Sequence, residues 1–397
     1  MKVLLLENIH VDAASAFEAA GFAVERVPHS PPRKVLAQGL PGVAVLGIRS
    51  KTKVTAELLD RSPELQAVGA FCIGTDQVDL EACSRRGVAV FNAPYSNTRS
   101  VVELALAEMI LLLRGVFDRS VDLHKGTWTK SSEGFHEIRG KKLGIVGYGN
   151  IGSQLSVLAE VMGMEVAYND LEEKLTLGNA RKCALDDLLR AADIVTVHVD
   201  GRESNRRLFG QREFASMKDG AVFLNLSRGF VVDVDALAKA LRSGKLRGAA
   251  VDVFPEEPKG NKEPFSSPLQ GIPNVILTPH IGGSTEEAQQ GIGGFVAGRI
   301  LDYLSTGSSG MSVNFPVLSA PAAPQRHRFA HLHENIPGML AKINDLFARH
   351  GLNIVGQRLE TRGALGYALI DVAEGCDLEI VKELSRIPHT VRARVVY

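Results

Sequence analysis

Three side chains able to move a proton or hold an anion stand just past three apolar runs. Arg228 follows AVFLNLS, Glu257 follows AAVDVFP, and His280 follows NVILTP. Open α/β sheets collect their ligands beyond the carboxyl ends of the strands, so the coincidence marks a candidate site. An alcohol cannot give up hydride while its proton stays in place, and imidazole is the side chain suited to take that proton near neutral pH. Glu257 can hold the ring in one tautomer and stabilise its charged form. The planar fork of Arg228 can clamp a carboxylate and orient the carbon that loses hydride. Each has a plainer account alone: His280 as a turn residue, Glu257 as part of an acidic loop, Arg228 as a solvated charge. Their meeting in one dinucleotide-type domain favours chemistry.

That domain is read from KKLGIVGYGNIGSQL. Gly147, Gly149 and Gly152 form GxGxxG between a predicted strand and a predicted helix. The turn can tighten there, the backbone can approach a pyrophosphate, and helix amides can point at it. Asp170 closes the next strand, EVAYND, about twenty residues on, where a carboxylate binds ribose hydroxyls. A glycine-rich turn with a capping aspartate is the plainer alternative. The charge of Asp170 repels a 2′-phosphate, which favours NAD over NADP.

The elements that must carry these residues alternate short apolar runs with helical patterns. KVLLLE, AVLGI, LQAVGAF and VAVFN predict buried parallel strands, separated by helices such as 11–20 and 77–86. A long helix is expected over about 100–123, with Ser100 as its cap and Glu103 at the capping-box spacing. From Lys142 a second series runs LGIVG, EVAYND, IVTVHV, AVFLNLS, AAVDVF and NVILTP, six strands, the count of a complete dinucleotide fold. Another long helix follows Gly282, through about Leu304. Residues 308–328, rich in Ser, Pro and Ala, read as a linker that few core contacts cross. The last 70 or so residues have the order strand, helix, strand, strand, helix, strand, a ferredoxin-like βαββαβ pattern suited to regulation.

Bulk properties narrow the classes. The 397 residues, 45% hydrophobic and 23% charged, suit two or three domains. Formal net charge is zero, which offers nothing to a nucleic acid. The most apolar stretch, 101–113, is interrupted by Glu103 and Glu108 and is too short to span a membrane, and no secretory leader is expected. Cys72, Cys83, Cys183 and Cys376 lack CxxC or metal spacing and read as reduced thiols of a cytoplasmic protein without a metal.

Taken together, GYGNIG, NLSRG, DVFPEEP and TPHIGGS resemble the D-2-hydroxyacid dehydrogenase family. CIGTDQVD, FNAPYSNTRSV, ILLLRG and the closing HENIPGMLAKIN and GLNI are similar to its short bacterial branch with a C-terminal ACT domain, over essentially the whole chain. The resemblance implies two doubly wound parallel-sheet domains plus the ferredoxin-like tail. The first, a discontinuous substrate domain, takes 1–96 and 285–315, the nucleotide domain 97–284, a linker 316–327, and the ACT domain 328–397. It implies NAD-dependent oxidation of D-3-phosphoglycerate in a cleft, the opening step of serine biosynthesis, with 2-oxoglutarate reduction as a side activity. His280 is then the acid/base, Glu257 its partner and Arg228 the carboxylate binder. Cofactor contacts fall to Gly147, Tyr148, Gly149, Asn150, Ile151 and Gly152, with Asp170, Ser227, Asp252 and His280. Substrate contacts fall to Arg49, Lys51, Asn97, Lys130 and Arg228, Lys130 reaching a neighbouring subunit. Lys51 stands where close relatives can have arginine, so a bidentate clamp becomes a point charge. The tail implies L-serine as effector, held by His333, Asn335 and Asn353 between paired tails of a homotetramer. Two other readings stay open: a relative acting on a different 2-hydroxyacid, which keeps the triad, and a non-catalytic dinucleotide sensor, which needs only the glycine loop.

Overall fold

The computed structural model describes residues 1–36, 38–258, 260, 262–322, 326–373 and 378–396. Cys376 and the Ala323 region lie outside them. Among the described residues, three sheets form. The first joins β1 (Lys2–Leu5), β2 (Ala23–Arg26), β3 (Val43–Ile48), β4 (Ala67–Ala70) and β5 (Ala89–Asn92). They lie all parallel in the order β2-β1-β3-β4-β5. β3, β4 and β5 are buried at every position, as continuous Val, Ala and Leu runs require when helices cover both faces. β2 has no such run: its sequence is AVER and it is mostly exposed at the sheet edge. Nothing in its hydrophobic pattern announced it.

The second sheet holds β6 (Lys142–Val146), β7 (Glu165–Asn169), β8 (Arg181–Lys182), β9 (Ile194–Val197), β10 (Ala221–Asn225), β11 (Leu246–Val251) and β12 (Val275–Leu277). Its order is β12-β11-β10-β9-β6-β7-β8, again all parallel. The six strands expected here are present, and β8, two exposed residues, is added at the edge. The chain reverses direction across the sheet between β6 and β9, which opens a crevice at their carboxyl ends. The long helix expected over about 100–123 is in fact two. One spans Thr98–Arg114, the other Val116–His124, and Gly115 between them has φ 55°. A left-handed residue ends a helix, and glycine adopts it without penalty. Ser100 is not the cap: Asn97 holds that position, and the Ser100 hydroxyl bonds the Thr285 hydroxyl at 2.8 Å.

The third sheet is antiparallel: β13 (His327–Glu334), β14 (Ile354–Arg362), β15 (Leu365–Val372) and β16 (Thr390–Val395), in the order β14-β15-β13-β16. With the helices Met339–Arg349 and Leu378–Arg386 it forms the βαββαβ unit. One face, carrying Phe329, Ala368 and Ile370, packs on Ile343, Phe347 and Leu384 of those helices. The other carries Ala330, Leu332, Tyr367 and Leu369 into the same core as Val3, Phe91, Tyr303 and Phe315.

Contacts divide the chain into two compact units, Met1–Ser96 with Gln289–Tyr397, and Asn97–Ala288. The antiparallel sheet thus belongs with the first sheet, against the expectation that few core contacts would reach it. The presumed linker explains why. Leu318 and Ala320 are buried, and the Ser308, Ser309, Ser312 and Asn314 side chains are buried as well. Asn314 Oδ1 accepts from Val90 N at 2.8 Å, and its Nδ2 donates to Val88 O at 2.9 Å. Hydroxyls and an amide replace ladder bonds along β5, so a Ser- and Pro-rich stretch is held without being a strand. Arg328 and Asp371, both almost wholly buried, form a bidentate pair at 2.6 and 2.9 Å. Arg328 Nη1 also donates to Thr306 O, in the last residue of the helix Glu286–Thr306, and to Pro321 O.

Candidate active site

The glycine loop follows from where side chains would collide. Gly147 leaves β6 with φ 95°, and a Cβ there would meet His198 O at 2.6 Å. A Cβ on Gly152 would strike the Gly147 carbonyl oxygen, so the helix Asn150–Val161 can approach β6 only with glycine there. A Cβ on Gly149 would meet open space. That space lies at the amino end of the helix, where free N–H groups favour an anion, and it fits a pyrophosphate. Asp170, just past β7, accepts from Tyr148 N at 2.8 Å and from Glu172 N at 2.9 Å. It therefore shapes the loop. Tyr148 turns its ring inward, stacked on Tyr168 with centroids 3.8 Å apart, and has only backbone to offer a cofactor. Asn150 and Ile151 open the helix beside it.

Arg228, Glu257 and His280 stand past the ends of β10, β11 and β12. His280 has φ 54°, a conformation held by its own N–H, which donates to Asp252 O at 2.8 Å. His280 Nδ1 lies 2.9 Å from Glu257 Oε2, and the ring stays half exposed with Nε2 outward of that bond. Glu257 Oε1 accepts in turn from Phe254 N at 3.1 Å. The bond to Glu257 raises the imidazole pKa above its ordinary value; burial opposes this, the charges of Glu257 and Asp252 add to it, and that of Arg228 counters. Burial pushes the Glu257 carboxyl up, but the bond and charge of His280, the Phe254 amide and Arg228 outweigh it and leave it below the usual carboxylate range. Arg228 is half-buried, and its charge acts on both members of the pair.

Sequence reasoning missed what holds these three. Asn225, fully buried, accepts from Ser227 N and Oγ and donates to Arg228 O at 3.1 Å, so it fixes the turn that presents Arg228. Gly229 beside it runs against the Phe254–Pro255 backbone of the Glu257 loop. Thr278 Oγ1 donates to Asp252 Oδ1 at 2.6 Å. Asp252 is buried and also accepts from Ile281 N and Gly282 N, both at 2.8 Å. Much of its hydrogen-bonding capacity goes into the loop of His280. Asn and Thr flanking a strand end were the available signal, in NLSRG and TPH.

The other expected residues are placed as follows. Asn97 stands at the N-cap position of the helix Thr98–Arg114 without a side-chain capping bond, and lies against Gly283 of the His280 loop, within the same unit. Arg49 and Lys51 follow β3 in the other unit, where Glu7 accepts from Lys51 N at 2.9 Å and Thr52 N at 2.7 Å. Lys130 is exposed, near Trp128 at 78% exposure. In the antiparallel sheet, Asn335 N donates to Ala364 O before β15, and Asn353 O accepts from Ala373 N after it. The length of β15 separates them by roughly 30 Å. His333 is buried, its Nδ1 3.1 Å from Nδ1 of His331. Among the described residues, no group of three His, Cys, Asp or Glu could hold a metal ion, and no helix is long and apolar enough to cross a membrane.

The NAD binding domain of D-isomer specific 2-hydroxyacid dehydrogenases matches residues 106–282, and an acetohydroxyacid-synthase-small-subunit-like ACT domain matches 329–392. D-3-phosphoglycerate dehydrogenase of Haemophilus influenzae is 48% identical over all of this chain and 97% of its own length. The enzymes of that name from Dictyostelium discoideum and Escherichia coli are 49% and 46% identical, again over the whole chain. The chain belongs to the D-3-phosphoglycerate dehydrogenase family. A crystal structure of D-lactate dehydrogenase from Aquifex aeolicus, complexed with NAD and lactic acid, superposes with TM-score 0.68 at 25% identity, over 81% of this chain and 100% of that one. This member of the family is an NAD-dependent oxidoreductase with an ACT domain.

Asp170 gives the cofactor a direct test. In Asp170→Ala the ratio of kcat/KM with NAD to that with NADP is expected to fall roughly 10- to 100-fold, the value of a charge-assisted hydrogen bond. An unchanged ratio would remove Asp170 from the ribose site.

Proposed function

We propose that the chain oxidises D-3-phosphoglycerate to 3-phosphohydroxypyruvate, with His280 as the base. The observation that carries this is the bond from His280 Nδ1 to Glu257 Oε2. It leaves Nε2 as the nitrogen for the substrate hydroxyl proton and makes the resulting imidazolium stable. Arg228 pairs with the substrate carboxylate beside them. NAD, when bound, supplies the hydride acceptor. Arg49, Lys51 and Asn97 serve the rest of the substrate, with Lys51 a single charge for a phosphate, and Lys130 acts at a partner subunit's site. Ser227 and Asp252 belong to the nicotinamide side. The first unit, apart from its antiparallel sheet, is the substrate domain, and 97–284 the nucleotide domain. Support comes from the three relatives named D-3-phosphoglycerate dehydrogenase at 46–49% identity. A panel of 3-phosphoglycerate, D-lactate and 2-hydroxyglutarate, followed by NADH absorbance, tests the assignment. A preference for an unphosphorylated hydroxyacid would replace it.

The same reading takes L-serine as the effector, in a cytoplasmic homotetramer. Asn335 and Asn353 stand at opposite ends of β15, so one serine can meet both only where two tails pair with their ends exchanged. Such a site bridges subunits and couples the effector to the catalytic cycle. In Asn335→Ala the serine concentration for half-inhibition is expected to rise about tenfold or more, the loss of one bond to a charged ligand. The uninhibited rate stays near that of the parent. A parent enzyme indifferent to L-serine would remove the effector.

A further inference from the structure

In the sequence, Glu108 interrupts the apolar run 101–113. It lies on the helix Thr98–Arg114 in the row Val101, Ala105, Glu108, Leu112, the face turned to the sheet. Val101, Ala105 and Leu112 of that row share a core with Leu143, Ile145, Leu224 and Ala250, and Glu108 is 1% exposed. Neither carboxyl oxygen has a hydrogen-bond partner. A carboxylate left like this costs several kcal/mol, whereas the protonated form carries no charge to desolvate. The catalytic groups described above do not use it.

What it does have is a charged neighbour. Asp252, just past β11, raises the cost of ionising Glu108, and burial adds the larger share, so its pKa is pushed up to about 8. The other charged groups on packed elements are engaged elsewhere. Arg247 on β11 donates to Leu113 O, Asp118 accepts from Asn274 N, and Glu160 accepts from Asn179 N. Arg119 donates to Ser131 O, Asp122 and His124 are exposed, and β10 and β12 carry no titratable side chain. Gln154 Oε1, on the helix packed against this one, is a buried acceptor without a donor. Burial raises the Asp252 carboxyl as well, but the Thr278, Ile281 and Gly282 donors and the charge of His280 offset part of that, so Asp252 is the better-stabilised anion of the two carboxyls. The proton therefore resides on Glu108.

We propose that Glu108 is a buried proton store answering to the charge of the cofactor ring: its proton leaves when the cationic nicotinamide of oxidised NAD binds, and returns when the ring is neutral in NADH. This rests on the placement of the nicotinamide beside Asp252. The balance is one proton released to solvent per carboxyl ionised, with no bond made to the cofactor. Because ionised Glu108 adds a negative charge behind Asp252, it stabilises the oxidised cofactor relative to the reduced one. Glu108 acts through that field, as a positioning residue for charge.

Calorimetric titration of NAD, NADH and ADP-ribose into the full chain, in buffers of different ionisation enthalpy, reads the protons directly. NAD is expected to release a fraction of a proton more than NADH near neutral pH, and ADP-ribose to match NADH. As pH rises toward the carboxyl's range, NAD binding strengthens relative to NADH by up to about tenfold per pH unit, the limit for one linked proton. Glu108→Gln, made also in a His280→Asn background to remove the imidazole, should make both differences vanish. If that variant does not fold, difference infrared spectroscopy of the parent should show a protonated-carboxyl stretch lost on adding NAD and kept on adding NADH. Equal proton counts for NAD and NADH in the His280→Asn background, or a difference there that survives adding Glu108→Gln, overturns the proposal. Absence of NAD binding would instead count against the cofactor site.

Discussion

His280→Asn is expected to lower kcat at least about 100-fold while NAD affinity stays close to that of the parent, since positioned proton transfer is typically worth 10² to 10⁴. Asparagine is the informative replacement because it tolerates the left-handed backbone that His280 adopts at φ 54°, so the loop survives. What is lost is the nitrogen that receives the proton. Oxidation needs the imidazole neutral, and the Glu257 bond holds its pKa above the ordinary value. The kcat/KM profile should therefore climb as pH rises through that raised value. In Glu257→Gln the imidazole loses its anionic partner and its pKa falls, so the acid limb moves to lower pH even as the rate drops. Stopped-flow NADH formation across pH measures both. A His280→Asn rate near the parent's would end the assignment.

The second large effect concerns stability. Arg328→Ala removes one half of a pair that is almost wholly buried, leaving the Asp371 carboxylate charged and uncompensated, and deprives Thr306 O and Pro321 O of their donor. Breaking such a pair costs about 3–5 kcal/mol. At roughly 2–4 °C per kcal/mol for a unit of this size, Tm should fall by around 6–20 °C in calorimetry. Replacing both partners by apolar residues, Arg328→Met with Asp371→Leu, should recover most of the loss, because no orphaned charge remains. An unshifted Tm for Arg328→Ala would mean the pair is not formed.

How far the sequence reaches depends on which force places each residue. The buried parallel strands were legible because sheets covered on both faces demand continuous apolar runs, and β3, β10 and β11 supply them. β2 and β8 were not, since an exposed edge needs only backbone partners. Arg228, Glu257 and His280 could be found because their types are costly where a turn would accept anything polar. Asn225 and Thr278 could not, as their work is to hold other residues' backbones and carboxylates. The stretch after Thr306 misled for a related reason. Serine and proline signal a loop whether it is solvated or packed, and only tertiary contacts tell which. Glu108 shows the same limit from the other side: one acid in an apolar run reads as a blemish until its neighbours are known.

The core shared by the ACT sheet and the first sheet bears on how this protein can change over generations. Ala330, Leu332, Tyr367 and Leu369 are walls of the structure that also contains Val3, Phe91 and Tyr303. Deleting the tail, or exchanging it for one with different packing residues, would strip that wall and expose apolar surface. On the proposed serine reading, lineages that lose the effector's control should then carry point substitutions at exposed loop positions such as Asn335 and Asn353, with the tail retained. Tail-less descendants would have to rebuild the covered face first, so a regulatory sensor once joined through a common core becomes hard to discard.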